Sequence, residues 1–134
     1  MDAATAFALA SALHAGFQVT VTALVYPALA DRPAEDWRRV HARHSRTILP
    51  IVVMTYLALG VTGAATLLAG PGVSGWVALA GATLAVGTTA LAAAPAHGRL
   101  LDHDADTVDR LLAADRWRCA AAVVGAVAAV VAAA

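Results

Sequence analysis

The sequence contains no lysine, one cysteine and few charged residues. The single Cys119 excludes an intrachain disulfide and any cysteine-based metal cluster within one chain. No Gly-rich phosphate loop or dinucleotide fingerprint is present, which argues against a nicotinamide or flavin site of the Rossmann type. Charged residues make up only 13% of the chain, against 60% hydrophobic residues. That is too little polar surface for a soluble fold of 134 residues.

The apolar residues form four long runs, and each has about the 20 residues needed to cross a bilayer. The runs show no period-two alternation, which excludes a closed barrel and leaves helices. Gly70-Pro71-Gly72 between the second and third runs indicates a tight turn. The sequence therefore predicts one all-α integral membrane domain over residues 1–134, an antiparallel four-helix transmembrane bundle. Its predicted spans are roughly residues 3–30, 47–70, 74–96 and 116–134.

All positive side-chain charge is carried by nine arginines, which fall within residues 32–46 and 99–118. The positive-inside rule then predicts an inner-membrane protein with cytoplasmic polar loops and both termini outside. Neighbouring acidic residues balance the arginines, which argues against nucleic-acid binding. The expected partner is the lipid bilayer. The spans are rich in alanine and glycine, which allow close helix contact. Such contact is compatible with a homo-oligomer.

Proline and acidic residues in the first polar loop indicate a helix start. Pro33 suits a first helical turn, and Glu35 and Asp36 suit the positive end of the helix dipole. A helix beginning there would continue through Trp37 and His44 into the second span. Residues 102–118 of the second polar loop also carry helical periodicity, of an interfacial amphipathic kind.

Polar residues recur along the first span at spacings of three or four, which places them on one helix face. They are Ser11, His14, Gln18, Thr22 and Tyr26. An ionisable residue near mid-membrane normally faces the bundle interior or a wet cavity. One interpretation is a polar track from mid-bilayer to the cytoplasmic end. The other is that these side chains hydrogen-bond a neighbouring helix and only hold the bundle together.

Histidines form the second candidate site. His41 and His44 share a helix face, and His97 after Pro95 should lie at a similar depth, as should Tyr26. Three histidines could hold iron, copper or zinc with an open coordination position. They could equally transfer protons or hydrogen-bond a substrate. The segment around His41 and His44 also has the composition of a headgroup-binding, topology-fixing stretch.

Several short motifs follow one another along the chain from the first span to the last. They are Gly16, Tyr26-Pro27-Ala28-Leu29, Trp37, Pro50, Pro95-Ala96-His97-Gly98-Arg99-Leu100 and Arg116-Trp117-Arg118. Their order resembles the anthrone oxygenase-like family of small four-span membrane proteins. The resemblance implies oxidation of reduced polycyclic aromatics, such as anthrones to anthraquinones, often in secondary metabolism.

On that resemblance, His97 and the Arg118 side belong to the site. A neutral histidine would remove a proton from the substrate methylene, and an arginine would stabilise the resulting oxyanion. The candidate catalytic residues are the bases His97 and His44 and the cations Arg99 and Arg118. The candidate substrate-binding residues are Tyr26, Gln18, His14 and Trp37.

Two other classes of function remain open. A non-enzymatic metal- or haem-binding membrane protein would use His44 and His97 on different helices. A small transport or assembly subunit would use the polar face of the first span. The sequence leaves open whether the protein is an enzyme and whether it binds a His-ligated iron, copper or zinc or no cofactor.

Overall fold

The computed structural model describes residues 1–93 and 105–134, which are helical almost throughout and contain no strand. Two π-helical segments, in which the backbone hydrogen bonds span five residues, interrupt the regular helices. The α-helices are α1 (Ala3–Thr20), α2 (Tyr26–Ala30), α3 (Ala34–Leu68), α4 (Val73–Thr88) and α5 (Ala105–Ala133). The π-helical segments are Val21–Val25 and Thr89–Ala93.

Four helical stretches in the described residues are long and apolar enough to cross a membrane, as the sequence predicted. They are Ala3–Ala30, Glu35–Leu68, Val73–Leu91 and Asp106–Ala133. Large apolar side chains such as Leu13, Met54 and Leu84 are exposed along these helices. Such a surface fits contact with lipid and not with water.

Local sequence explains where the helices begin and end. The Asp2 carboxylate accepts a hydrogen bond of 2.8 Å from the Thr5 N–H and so caps α1. Pro33 precedes α3, which runs unbroken through the histidine segment, so the predicted extension of that helix is confirmed. Gly70 has a φ of +78°, a left-handed conformation that glycine adopts without strain, and it ends α3 at the predicted turn.

The first span contains a wide turn at Val21–Val25. The Tyr26 N–H donates to the Val21 carbonyl, one residue further back than in an α-helix. The next residue, Pro27, has no N–H, and its ring would clash with the carbonyl four residues earlier in a regular helix. The wide turn relieves that clash. The span therefore continues as α2 without a break.

Small residues determine how the helices pack. A Cβ added to Gly81 of α4 would lie 2.7 Å from the Gly125 Cα of α5, so the two backbones approach closely only because both residues are glycine. Helix α1 packs against both α5 and α3, whereas α3 makes few contacts with α4. A gap is therefore left between α3 and α4.

Candidate functional site

A buried arginine is the centre of the candidate site. Arg118 of α5 is 6% exposed, and its Nη2 hydrogen-bonds the carboxylate of Asp115, one turn earlier on the same helix. Its Nη1 lies 3.3 Å from the Thr89 hydroxyl oxygen, and Nη2 lies 3.5 Å from the Tyr26 hydroxyl. The carboxylate balances the guanidinium charge. A charged pair can therefore be buried between apolar helices.

Tyr56 of α3 joins the same contacts through Thr89. The Tyr56 hydroxyl lies 2.5 Å from the Thr89 hydroxyl oxygen, and the Thr89 hydroxyl donates to the Ala85 carbonyl. Because Thr89 has one hydroxyl proton, it accepts from both Tyr56 and Arg118. We call Tyr26, Tyr56, Thr89, Asp115 and Arg118 the arginine network. It connects all four membrane-length helical stretches.

A cavity of about 200 Å³ lies beside the arginine network. Its polar edge includes Tyr26, Tyr56, Thr89, Arg118 and His44, whose ring centroid lies 6.4 Å from that of Tyr26. The rest of the wall is largely apolar and includes Phe17, Val21, Ile48, Leu49 and Val52. The Nε of Arg118 is buried and has no hydrogen-bond partner among the described residues. The cavity thus combines an apolar enclosure with one cation in its wall.

The polar face of the first span is largely buried, and five of its polar atoms have no partner among the described residues. His14 and Gln18 are each 1% exposed, and Ser11 is also buried. Within the described residues no partner is found for the Ser11 hydroxyl, His14 Nε2, both amide atoms of Gln18 or the Thr22 hydroxyl. We call Ser11, His14, Gln18 and Thr22 the polar stripe. The His14 ring meets Tyr56 edge-on at 5.6 Å between centroids, so the stripe adjoins the arginine network.

The structure brings three of the predicted site residues together and separates others from them. Tyr26, His44 and Arg118 line one cavity. Trp37 is buried among Val21, Leu29, Val108 and Leu111 and does not line that cavity. His41 stacks on the Trp37 ring, with centroids 5.3 Å apart. His14 and Gln18 lie on the polar stripe, outside the cavity lining.

The predicted metal ligands are only partly described. His41 and His44 lie on α3, whereas His97 and Arg99 lie outside the described residues. Among residues 1–93 and 105–134, no three His, Cys, Asp or Glu side chains are grouped as metal ligands. The His41, His44 and His97 site, the metal it would hold, and the roles of His97 and Arg99 therefore stay predictions.

Sequence reasoning missed three members of the arginine network. Asp115 stands three residues before Arg118, a spacing that pairs charges on one helix face and could have indicated the ion pair. Tyr56 is the only aromatic residue in the apolar part of the second span, and Thr89 is one of two threonines near the end of the third. Neither of these last two positions carries a sequence signal that marks it as a partner of Arg118.

Comparison with known proteins identifies no relative. No protein-family model, no curated protein and no solved structure matches the chain.

Proposed function

We propose that the protein is a small integral membrane oxidoreductase, similar to anthrone oxygenases, that acts on a lipophilic aromatic substrate. The observation that carries the proposal is the arginine in the wall of an apolar cavity. At about 200 Å³ the cavity is smaller than most small-molecule sites, which are roughly 300–1,000 Å³. A flat, rigid aromatic suits it better than a bulky ligand does. The Arg118 guanidinium in that wall supports a ligand that carries an oxygen acceptor.

The residues around the cavity suit deprotonation of an activated methylene. In an anthrone the methylene lies across the central ring from the carbonyl and is conjugated with it through the flanking aromatic rings. The carbonyl therefore acidifies the methylene, and the carbonyl oxygen gains negative charge when the proton leaves. His44 would take that proton, while Arg118 would stabilise the oxygen and Tyr26 would hydrogen-bond it. The carbanion then reacts with dioxygen to give a hydroperoxide that loses water. Overall, the methylene carbon loses two hydrogens and gains one oxygen atom as a carbonyl, and the second oxygen atom leaves in water.

Turnover of an anthrone in lipid nanodiscs tests this proposal. We expect oxygen-dependent formation of the anthraquinone and, in His44→Gln, a fall in kcat of about 10²-fold or more. His97→Gln tests the other predicted base in parallel. Arg43→Gln, an exposed position on the same helix as His44, is the control and should retain wild-type turnover. Wild-type kcat in both histidine variants would exclude base catalysis by these residues.

The proposal includes a membrane topology. The four spans would form an antiparallel bundle in the inner membrane, with both termini outside and both arginine-rich segments cytoplasmic. Contacts between chain segments support it. The Thr66 hydroxyl near the end of α3 donates to the Ala3 carbonyl at the start of α1. Arg118, midway along α5, reaches Thr89, the first residue after α4. The distribution of the nine arginines supports the proposed orientation of the bundle across the membrane.

Cysteine labelling in intact cells tests the topology. In a Cys119→Ala background, a membrane-impermeant maleimide should label Gly72→Cys in the α3–α4 turn and leave Ala42→Cys unlabelled. Permeabilised cells, in which both positions are accessible, are the control. The reverse pattern in intact cells would place the arginine-rich segments outside and overturn the proposed orientation.

A further inference from the structure

A second cavity of about 440 Å³ lies in the gap between α3 and α4. We call it the glycine groove, and its boundary includes Phe7, Tyr56, Gly60, Gly63, Leu67 and Gly87. Apart from the Tyr56 hydroxyl and Thr83, the side chains that line it are apolar. It therefore offers space to a hydrocarbon and almost no hydrogen bonds.

Two of the three glycines of this groove differ from those that bring α4 and α5 together. Among the described residues, a Cβ added to Gly60 or Gly87 would meet nothing within 4 Å. One added to Gly63 would lie 3.3 Å from the Phe7 ring, and one added to Gly81 would meet the α5 backbone at 2.7 Å. Small residues in membrane helices normally permit close helix contact. At Gly60 and Gly87 no such contact is made, so the missing side chains leave open volume. The groove is thus not a by-product of tight packing.

The groove adjoins the candidate site at one residue. Tyr56 lines both the smaller cavity and the glycine groove, so its side chain stands between the two. From Tyr56 to Leu67 the groove follows α3 for roughly 16 Å, at 1.5 Å per residue. The Arg118 cation lies in the wall of the smaller cavity, on one side of Tyr56, and the apolar groove lies on the other side. Side by side, the two cavities match the polarity of an amphiphile with a polar ring and a long tail.

We propose that the glycine groove holds the hydrocarbon tail of the substrate, whose polar ring occupies the cavity at Arg118. The substrate class is then an anthrone-type aromatic, with a ring methylene and an oxygen substituent, that carries an extended alkyl or prenyl tail. This inference rests on the proposed function, because it assumes that the ring is the reacting group. In a bilayer the tail leaves one apolar environment for another, so the groove acts through van der Waals contact and shape. The groove therefore determines which lipophilic molecules bind, and it contributes little to their concentration near the protein.

Binding of two probes to the full-length protein in nanodiscs tests the inference. One probe is a hydroquinone ring without a tail, and the other is the same ring with a twelve-carbon chain. Binding is compared at equal mole fraction in the lipid, so that partitioning does not enter. We expect the tailed probe to bind about tenfold more tightly to the wild type. In Gly60→Phe and Gly87→Phe, which fill the groove, that advantage should disappear while the tail-less probe binds as before.

The matched control is Val61→Phe, which adds a ring next to Gly60 on an exposed face, outside both cavities. It should keep the tenfold preference. If Gly60→Phe preferred the tailed probe over the tail-less probe as strongly as the wild type does, the proposed tail site would be excluded. A co-purified phospholipid that the tailed probe cannot displace would also exclude it, since the groove would then be a structural lipid site. Failure of both probes to bind the wild type would remove the ring site and hence the proposed function itself.

Discussion

The polar stripe and the arginine network both bury polar groups inside membrane-length helices, but they differ in how those groups are paired. Every member of the network hydrogen-bonds another member, and its partners come from four helical stretches. The stripe, on one face of α1, leaves five polar atoms without a partner in the described part of the chain. A buried charge must be matched, whereas a neutral group can be buried unpaired at a smaller penalty. The two regions should therefore respond oppositely to apolar substitution.

The largest effect is expected from breaking the charged pair. Arg118→Met leaves the buried Asp115 without its cation and should lower the free energy of unfolding by about 3–5 kcal/mol. The double variant Asp115→Leu with Arg118→Met removes both charges and should recover most of that loss. Unfolding in mixed micelles measures both, with the exposed Arg110→Met as control. A single variant as stable as the wild type would show that the pair is not essential to the bundle.

Removal of an unpaired amide should have a smaller effect of opposite sign. Gln18→Met keeps the volume of the side chain and eliminates two buried atoms that have no partner among the described residues. We expect the free energy of unfolding to rise by about 1 kcal/mol. Gln18→Asn, which keeps an amide, is the control. A loss of stability in Gln18→Met would mean that bound water or a ligand satisfies the stripe, and the contrast between the two regions would fail.

The hydrogen bond between Tyr56 and Thr89 is expected to contribute less again. A double-mutant cycle with Tyr56→Phe and Thr89→Val isolates this contact, and bonds of this kind between membrane helices average about 0.6 kcal/mol. We expect a coupling free energy of that order. No coupling would remove Tyr56 from the arginine network and leave its ring as a wall of the cavity only.

The exposed capping residue of α1, Asp2, lies outside the apolar spans and provides a reference in water. Hydrogen bonds from Thr5, first from its backbone N–H, lower the pKa of the Asp2 carboxyl from its ordinary value of 3.8. Because the folded-state pKa is the lower one, the cap stabilises the helix above the unfolded pKa and loses that effect as pH falls through the folded pKa. The chemical shift of the Thr5 amide should titrate below pH 3.8 in the wild type. It should stay constant in Asp2→Asn; a midpoint above 3.8 in the wild type would contradict the cap.

Much of the fold could be predicted because length and hydropathy alone specify membrane-length helices. The four apolar stretches, the Gly70 turn and the continuous helix through the histidine segment all follow from local signals. The arginine network could be predicted only in part. Tyr26 and Arg118 stood out as polar residues at span ends, but their contact depends on helix rotation and on the wide turn before Tyr26. The hydropathy of the sequence predicts neither the rotation of the helices nor the wide turn.

The position of the glycine groove could not be predicted from the sequence either. Gly60, Gly81 and Gly87 are alike in the sequence, since each is a glycine within an apolar run. Gly81 permits backbone contact, and the other two leave space. That difference depends on which helix each glycine faces: Gly81 faces α5, whereas Gly60 and Gly87 line the gap between α3 and α4. It is a tertiary property with no local signal. A glycine in a membrane helix therefore predicts either close packing or a cavity until its neighbour is known.

The wide turn at Val21–Val25 determines which way the later side chains of the first span point around the helix axis. Residues spaced by four drift about 40° per step around an α-helix of 3.6 residues per turn. A turn that accommodates an extra residue cancels this drift, so Tyr26 faces the interior, as Gln18 does, although two helical turns separate them. Deletion of one residue there would rotate every later side chain of the span by about 100°. The length of this short segment, more than its composition, thus keeps Tyr26 within reach of Arg118.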